Sequence, residues 1–125
     1  MEITELNHIA IYVRDVEKSC DFYQNKLELQ ALPRPAFNFP GAWFRLGKNQ
    51  ELHLIGNSRE ELIQHKNNHF ALRVRSIKNV EELLRQKDVS FLGPKPRPDG
   101  AIQIFLQDPD GYHIELFEFD LRLPS

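Results

Sequence analysis

A chain of 125 residues is enough for one domain, and 41% hydrophobic with 27% charged residues is a soluble balance that excludes a disordered chain. A net charge of −2 with both signs mixed throughout excludes a nucleic-acid or membrane surface as partner, and no apolar run reaches the roughly 18 residues of a membrane span. The start MEITELNH has neither a basic leader nor an apolar signal core, and the one cysteine, Cys20, has no internal partner, so a cytoplasmic location is expected.

Residues 7–13 alternate apolar and polar with period two, the pattern of a half-buried strand. Asp15 suits an N-cap, its carboxylate accepting from a first-turn amide of a helix that lines up Val16, Cys20, Tyr23 and Leu27 on one stripe. Three short strands are expected next, near Leu29–Leu32, Ala42–Leu46 and Glu51–Ile55, with the Pro-rich segment Pro33–Gly41 as a loop whose Phe37 and Phe39 form either an apolar lid or a cover for the sheet edge. Residues 57–67 read as a linker.

The pattern then begins again. Residues 68–77 (NHFALRVRSI) repeat residues 7–16 (NHIAIYVRDV) at an offset of 61, sharing Asn, His, Ala, Val and Arg. Ser76 takes the capping place of Asp15, and Ile77, Val80, Leu83 and Leu84 form the second helix stripe. Strands are expected near Val89–Phe91, Ala101–Gln107 and Tyr112–Phe117, with Gly93–Gly100 as a loop and Asp110-Gly111 as a type I′ hairpin turn. HIELF at 113–117 echoes ELHLI at 51–55, aligning His53 with Glu115 at an offset of 62. The chain is therefore expected to be one α+β domain over 1–125, built from two βαβββ modules, about 1–57 and about 68–120.

Alternation assigns faces. Ile9, Ile11 and Val13 share the face covered by helices, as do Leu52 with Leu54, Phe70 with Leu72 and Val74, and Ile114 with Leu116. His8, His53, His69 and Glu115 take the opposite face at equivalent places in the two modules. If the modules pack about a pseudo-twofold axis, three imidazoles and one carboxylate converge, a donor set suited to Zn²⁺, Ni²⁺, Fe²⁺, Co²⁺ or Mn²⁺ and not to Ca²⁺ or Mg²⁺. His113 and Glu51 lie one pleat from these positions and are weaker candidates, and His65 falls in the linker. Trp43 either lines the cleft or packs in the core. Arg73 lies on the metal face, either meeting an anionic substrate group or simply exposed.

The motifs NHIAIYVRDVEKSCDFYQNKL, LHLI, NHFALRV and QDPDGYHIEL together resemble the vicinal oxygen chelate superfamily: glyoxalase I, fosfomycin-resistance thiol transferases, extradiol dioxygenases, methylmalonyl-CoA epimerase and bleomycin-binding proteins. The resemblance covers nearly the whole chain. It implies paired βαβββ modules forming a U-shaped mixed sheet with helices outside, a homodimer, and metal ligands on the first, fourth, fifth and eighth strands, which here are His8, His53, His69 and Glu115. It further implies a lyase or isomerase of glyoxalase I type acting on a small vicinal-oxygen substrate, such as a thiol adduct of a 2-oxoaldehyde. Glu115 and His53 are then the catalytic candidates, with Glu115 both ligand and general base. Asn57 matches a glutathione-binding Asn of glyoxalase I, whereas Tyr12 and His65 stand where that enzyme carries Arg, so a thiol cosubstrate other than glutathione stays open. Tyr12, Trp43, Asn57 and Arg73 are the substrate-binding candidates. The alternatives are a metal-free antibiotic-binding protein of bleomycin-resistance type and a small extradiol-type dioxygenase.

Overall fold

The computed structural model describes residues 1–64 and 68–119, which divide into two compact units, Met1–Leu62 and Ile63–Ser125. His65 lies outside the described residues. In the first unit β1 (His8–Tyr12) leads into α1 (Val16–Cys20), followed by β2 (Ala31–Leu32), β3 (Gly41–Leu46) and β4 (Gln50–Ile55). The second unit repeats the order with β5 (His69–Arg73), α2 (Ile77–Gln86), β6 (Leu92–Pro96), β7 (Ile102–Gln107) and β8 (His113–Glu118). Each unit is an open four-stranded mixed sheet, ordered β1-β4-β3-β2 and β5-β8-β7-β6, in which only the first and last strands of the module run parallel. The α+β class and the duplicated βαβββ order are those the sequence predicts. Among the described residues no helix is long and apolar enough to cross a membrane.

The helix-covered face of each sheet forms a core. Leu52 and Leu54 of β4 bury completely beside Phe44 and Leu46 of β3, and Tyr23 packs between the helical segment and Phe44. In the second unit Ile104, Leu106, Ile114 and Leu116 bury against Ile77 and Leu84 of α2. Each fully buried aliphatic or aromatic side chain here is worth about 1.5–3 kcal/mol.

Both helices start as expected. Asp15 accepts from the Lys18 amide (3.2 Å) and Ser76 from the Asn79 amide (3.2 Å). A side chain at or just beyond the end of the last strand of each module secures the same helix end: Asn57 Oδ1 accepts from the Val16 amide (3.1 Å), and Glu118 Oε1 from the Ile77 amide (2.7 Å). Gly56 permits this approach, because a Cβ there would overlap the Val16 side chain. Replacing Ser76 with Ala should cost about 1 kcal/mol, read as a lower urea midpoint; an unchanged midpoint would show that this cap contributes nothing.

Three local expectations are corrected. The first helix does not continue as an α-helix to Leu27 but widens into a π-helical segment, Asp21–Lys26, in which the Leu27 amide donates to the Phe22 carbonyl (2.9 Å). The strand expected near Val89–Phe91 lies instead at Leu92–Pro96, running into the segment Gly93–Gly100 expected to be loop. It is an edge strand bonded only to β7, so prolines without N–H groups are tolerated, and Pro94 falls where the register shifts between Leu92 and Lys95. The turn at Asp110-Gly111 is not type I′: Gly111 alone has positive φ (86°), and Asp108 shapes the loop by accepting from the Asp110 and Tyr112 amides (2.9 Å each).

Candidate functional site

In the first unit the parallel pairing of β1 with β4 sets Ala10 opposite His53, so His8 lies diagonally across the same face. The two imidazoles stack with centroids 4.2 Å apart. Trp43, directly opposite His53 on β3, covers the other side of that ring at 4.0 Å and 3° between planes. His53 is thus held between two rings, its side chain 13% exposed, and its Nε2 meets Glu51 Oε1 at 2.9 Å. A carboxylate only accepts, so Nε2 carries the proton in that contact. His8 Nδ1 meets Asn7 Oδ1 at 2.9 Å, which places its proton on Nδ1 and leaves the Nε2 lone pair available. The stack extends outward from Trp43 to Phe37 (6.2 Å) and Phe39, with the Arg34 guanidinium 4.9 Å from each phenyl centroid. Tyr12 sits exposed at the end of β1, opposite Ile55.

In the second unit Ala71 of β5 faces Glu115 of β8, placing His69 diagonal to Glu115. His69 Nε2 stands 3.3 Å from Glu115 Oε1. Glu115 is buried, its side chain 6% exposed, and its other oxygen, Oε2, accepts from Arg97 Nη1 at 2.6 Å. Arg97 is fastened in turn by Asp99, with Nε to Oδ1 at 2.8 Å and Nη2 to Oδ2 at 2.7 Å, and its guanidinium lies over Phe117 (4.7 Å) and Phe119 (5.3 Å). The hydrogen bond from Arg97 holds the Asp99 carboxyl at about 2, and the same bond raises the Arg97 guanidinium above its ordinary value. Arg73, opposite Phe117, places its guanidinium 5.1 Å from the Phe119 ring.

Each unit therefore brings together one pair of donors from the expected four: His8 with His53, and His69 with Glu115. Among the described residues no group of three or more His, Cys, Asp or Glu side chains gathers to hold a metal ion, so neither unit supplies a full set alone. The donors present fit a borderline divalent ion in kind: imidazole nitrogens and one carboxylate, with the Nε2 lone pair of His8 available, Nδ1 as the nitrogen that His53 can offer while Glu51 engages its Nε2, and Glu115 Oε1 on the side of His69. Of the substrate-binding candidates, Asn57 has its amide oxygen engaged at the start of α1.

Arg97 is the site residue that the sequence reading overlooks. A signal exists in hindsight: Arg97-Pro98-Asp99-Gly100 and Asp108-Pro109-Asp110-Gly111 are two copies of one turn, at the two ends of β7. In both, the glycine amide donates to the carbonyl of the first residue (2.9 Å each), and both glycines have positive φ. The turn places Asp99 two residues after Arg97, where its carboxylate takes the Nε and Nη2 edge of the guanidinium.

Comparisons with known proteins agree with this architecture. The family model described as the Glyoxalase/Bleomycin resistance protein/Dioxygenase superfamily matches residues 5–116. The chain is 31% identical to Glyoxylase I 4 of Arabidopsis thaliana, over 96% of this chain and 74% of that protein. It is 30% identical to the metallothiol transferase FosB of Staphylococcus epidermidis, over 98% of this chain and 87% of the relative. Among solved structures, a glyoxalase family protein from Bacillus anthracis superposes with a TM-score of 0.84 at 25% identity, covering 96% of this chain and 98% of that one.

Proposed function

Because the chain belongs to the Glyoxalase/Bleomycin resistance protein/Dioxygenase superfamily, we propose that it is a divalent-metal-dependent lyase or isomerase of glyoxalase I type, acting on a small vicinal-oxygen substrate such as a thiol adduct of a 2-oxoaldehyde. One observation carries this reading: a donor pair recurs at the same place in each repeat, His8 beside His53 and His69 beside Glu115. In this proposal the two units make one domain, and the four side chains hold one ion, which is Zn²⁺, Ni²⁺, Fe²⁺, Co²⁺ or Mn²⁺. When bound, the ion acts as a Lewis acid that stabilises negative charge on the chelated substrate oxygens.

The remaining work falls to the chain itself. Glu115 is the general base, taking a proton from one substrate carbon and returning it to the next. Its burial beside a fixed guanidinium keeps the carboxylate in one orientation. His53 is stacked between Trp43 and His8 and bonded through Nε2 to Glu51, so its ring is held in one plane with Nδ1 as the nitrogen it offers to the ion. Trp43 and Phe37 give the substrate an apolar wall, and Tyr12 and Arg73 are placed for its polar groups. A homodimer is the assembly proposed.

The test uses the single tryptophan as a reporter, because Trp43 lies flat on His53. Purified protein should contain one ion per chain by elemental analysis. Adding Co²⁺ or Ni²⁺ to the stripped protein should quench Trp43 fluorescence, and His53→Ala should remove the quenching. Absence of both metal and quenching would sink the proposal in favour of a metal-free small-molecule binder.

A second reading, thiol transfer onto an electrophilic substrate, is supported by the match to a metallothiol transferase along almost the full chain. A product that retains the thiol in a new C–S bond would select it, and an isomerised hydroxy-thioester would select the first.

A further inference from the structure

We infer that Arg97, clamped by Asp99, is a positioning residue that commits Glu115 to presenting one carboxylate oxygen, the one facing His69. This rests on the proposal that Glu115 is a metal ligand and base. The carboxylate has two oxygens with two different neighbours: Oε2 accepts from Arg97 Nη1 at 2.6 Å, and Oε1 stands 3.3 Å from His69 Nε2. With Oε2 held by a guanidinium, which lowers its basicity and crowds it, the oxygen on the histidine side is the one placed to ligate or take a proton. A carboxylate free to present both oxygens to an ion would take up a coordination position that a chelating substrate needs. One that could rotate would also present its basic oxygen to the substrate only part of the time.

Several contacts make Arg97 a rigid support. Its main chain is fixed at both ends of the turn, the Arg97 amide donating to the Ala101 carbonyl (2.7 Å) and its own carbonyl accepting from the Gly100 amide (2.9 Å). Asp99 takes the Nε and Nη2 edge of the guanidinium, which turns Nη1 toward Glu115. Phe117 and Phe119 lie against the guanidinium. One planar fork spans both carboxylates, whereas a lysine ammonium is a point charge without that geometry. If Arg97 served only to neutralise a buried carboxylate, lysine would do as well. If it orients the carboxylate, lysine fails.

The experiment compares wild type with Arg97→Lys, Arg97→Met and Asp99→Asn, reading Zn²⁺ affinity by competition with a chelating dye, kcat and KM separately, and thermal melting. Arg97→Lys is expected to melt near wild type, to bind Zn²⁺ about 10–100-fold more weakly, and to lose kcat with KM little changed. Asp99→Asn, at a half-exposed side chain, should shift affinity and kcat in the same direction, and it carries the test if the Arg97 variants fail to fold. Zn²⁺ affinity and kcat at wild-type level in Arg97→Lys and Asp99→Asn would overturn the clamp and leave the metal site standing. A wild type that binds no Zn²⁺ would overturn both.

Discussion

Replacing Glu115 with Gln is expected to lower kcat about 10²–10⁴-fold, the range set by loss of a general base. The substitution preserves shape and removes charge, so the sheet should survive. Its second effect follows from Arg97. The guanidinium is a donor only and must keep an acceptor at 2.6 Å, so it takes the single amide oxygen of Gln. The amide nitrogen then faces His69, where Oε1 stood. A protonated amide nitrogen cannot ligate, so metal affinity should fall along with turnover. The measurements are kcat with a hemithioacetal substrate and Zn²⁺ affinity of the same protein by dye competition. Turnover within threefold of wild type would remove Glu115 from the role of base, whatever the affinity showed.

The pairing His8–His53 and His69–Glu115 was only half legible in the sequence. Period-two alternation put all four on the face away from Leu52, Leu54, Ile114 and Leu116, and those four leucines and isoleucines are indeed buried. Alternation gives a face, not a neighbour. Which residues meet depends on β1 running parallel beside β4 and β5 beside β8, a long-range pairing that no local pattern encodes. The N-caps Asp15 and Ser76 were readable because capping is local: the side chain bonds an amide three residues on.

The features that escaped are the ones set at a distance or by competition. Arg97 reaches Glu115 across eighteen residues through the turn that ends β6. Proline normally argues against a strand, yet β6 forms at Leu92–Pro96 because an edge strand has one bonded side. Asp110-Gly111 had the composition of a type I′ turn, but the Asp108 carboxylate bonds two amides of the same loop and selects another geometry. Asn57 matched a ligand-binding position by spacing alone, while its oxygen caps the start of α1. Glu118 does the same for α2, which suggests a structural origin for that position in both repeats.

The last prediction separates stability from chemistry along one strand. Phe44 and Trp43 are neighbours on β3 with opposite faces. Phe44 is 1% exposed, pairs with Leu52 in the register and lies 6.1 Å from Tyr23, which meets Phe22 edge-on at 5.1 Å. Phe44→Ala removes a whole ring from this cluster and leaves a cavity that the flanking strands β2 and β4 cannot close without losing their own pairing. The expected cost is about 3–5 kcal/mol, a large part of the roughly 5–15 kcal/mol that holds a domain folded. Phe44→Leu, which keeps much of the volume, should cost well under half as much. Trp43→Leu, on the open face, should move the urea midpoint little while releasing one side of the His53 ring and weakening Zn²⁺ binding. Urea denaturation of the three variants beside dye competition checks the division. A loss below about 1 kcal/mol for Phe44→Ala would mean that this cluster is not the centre of the first unit's core. Wild-type Zn²⁺ affinity in Trp43→Leu would mean that the stacked indole does not hold the histidine for its ligand.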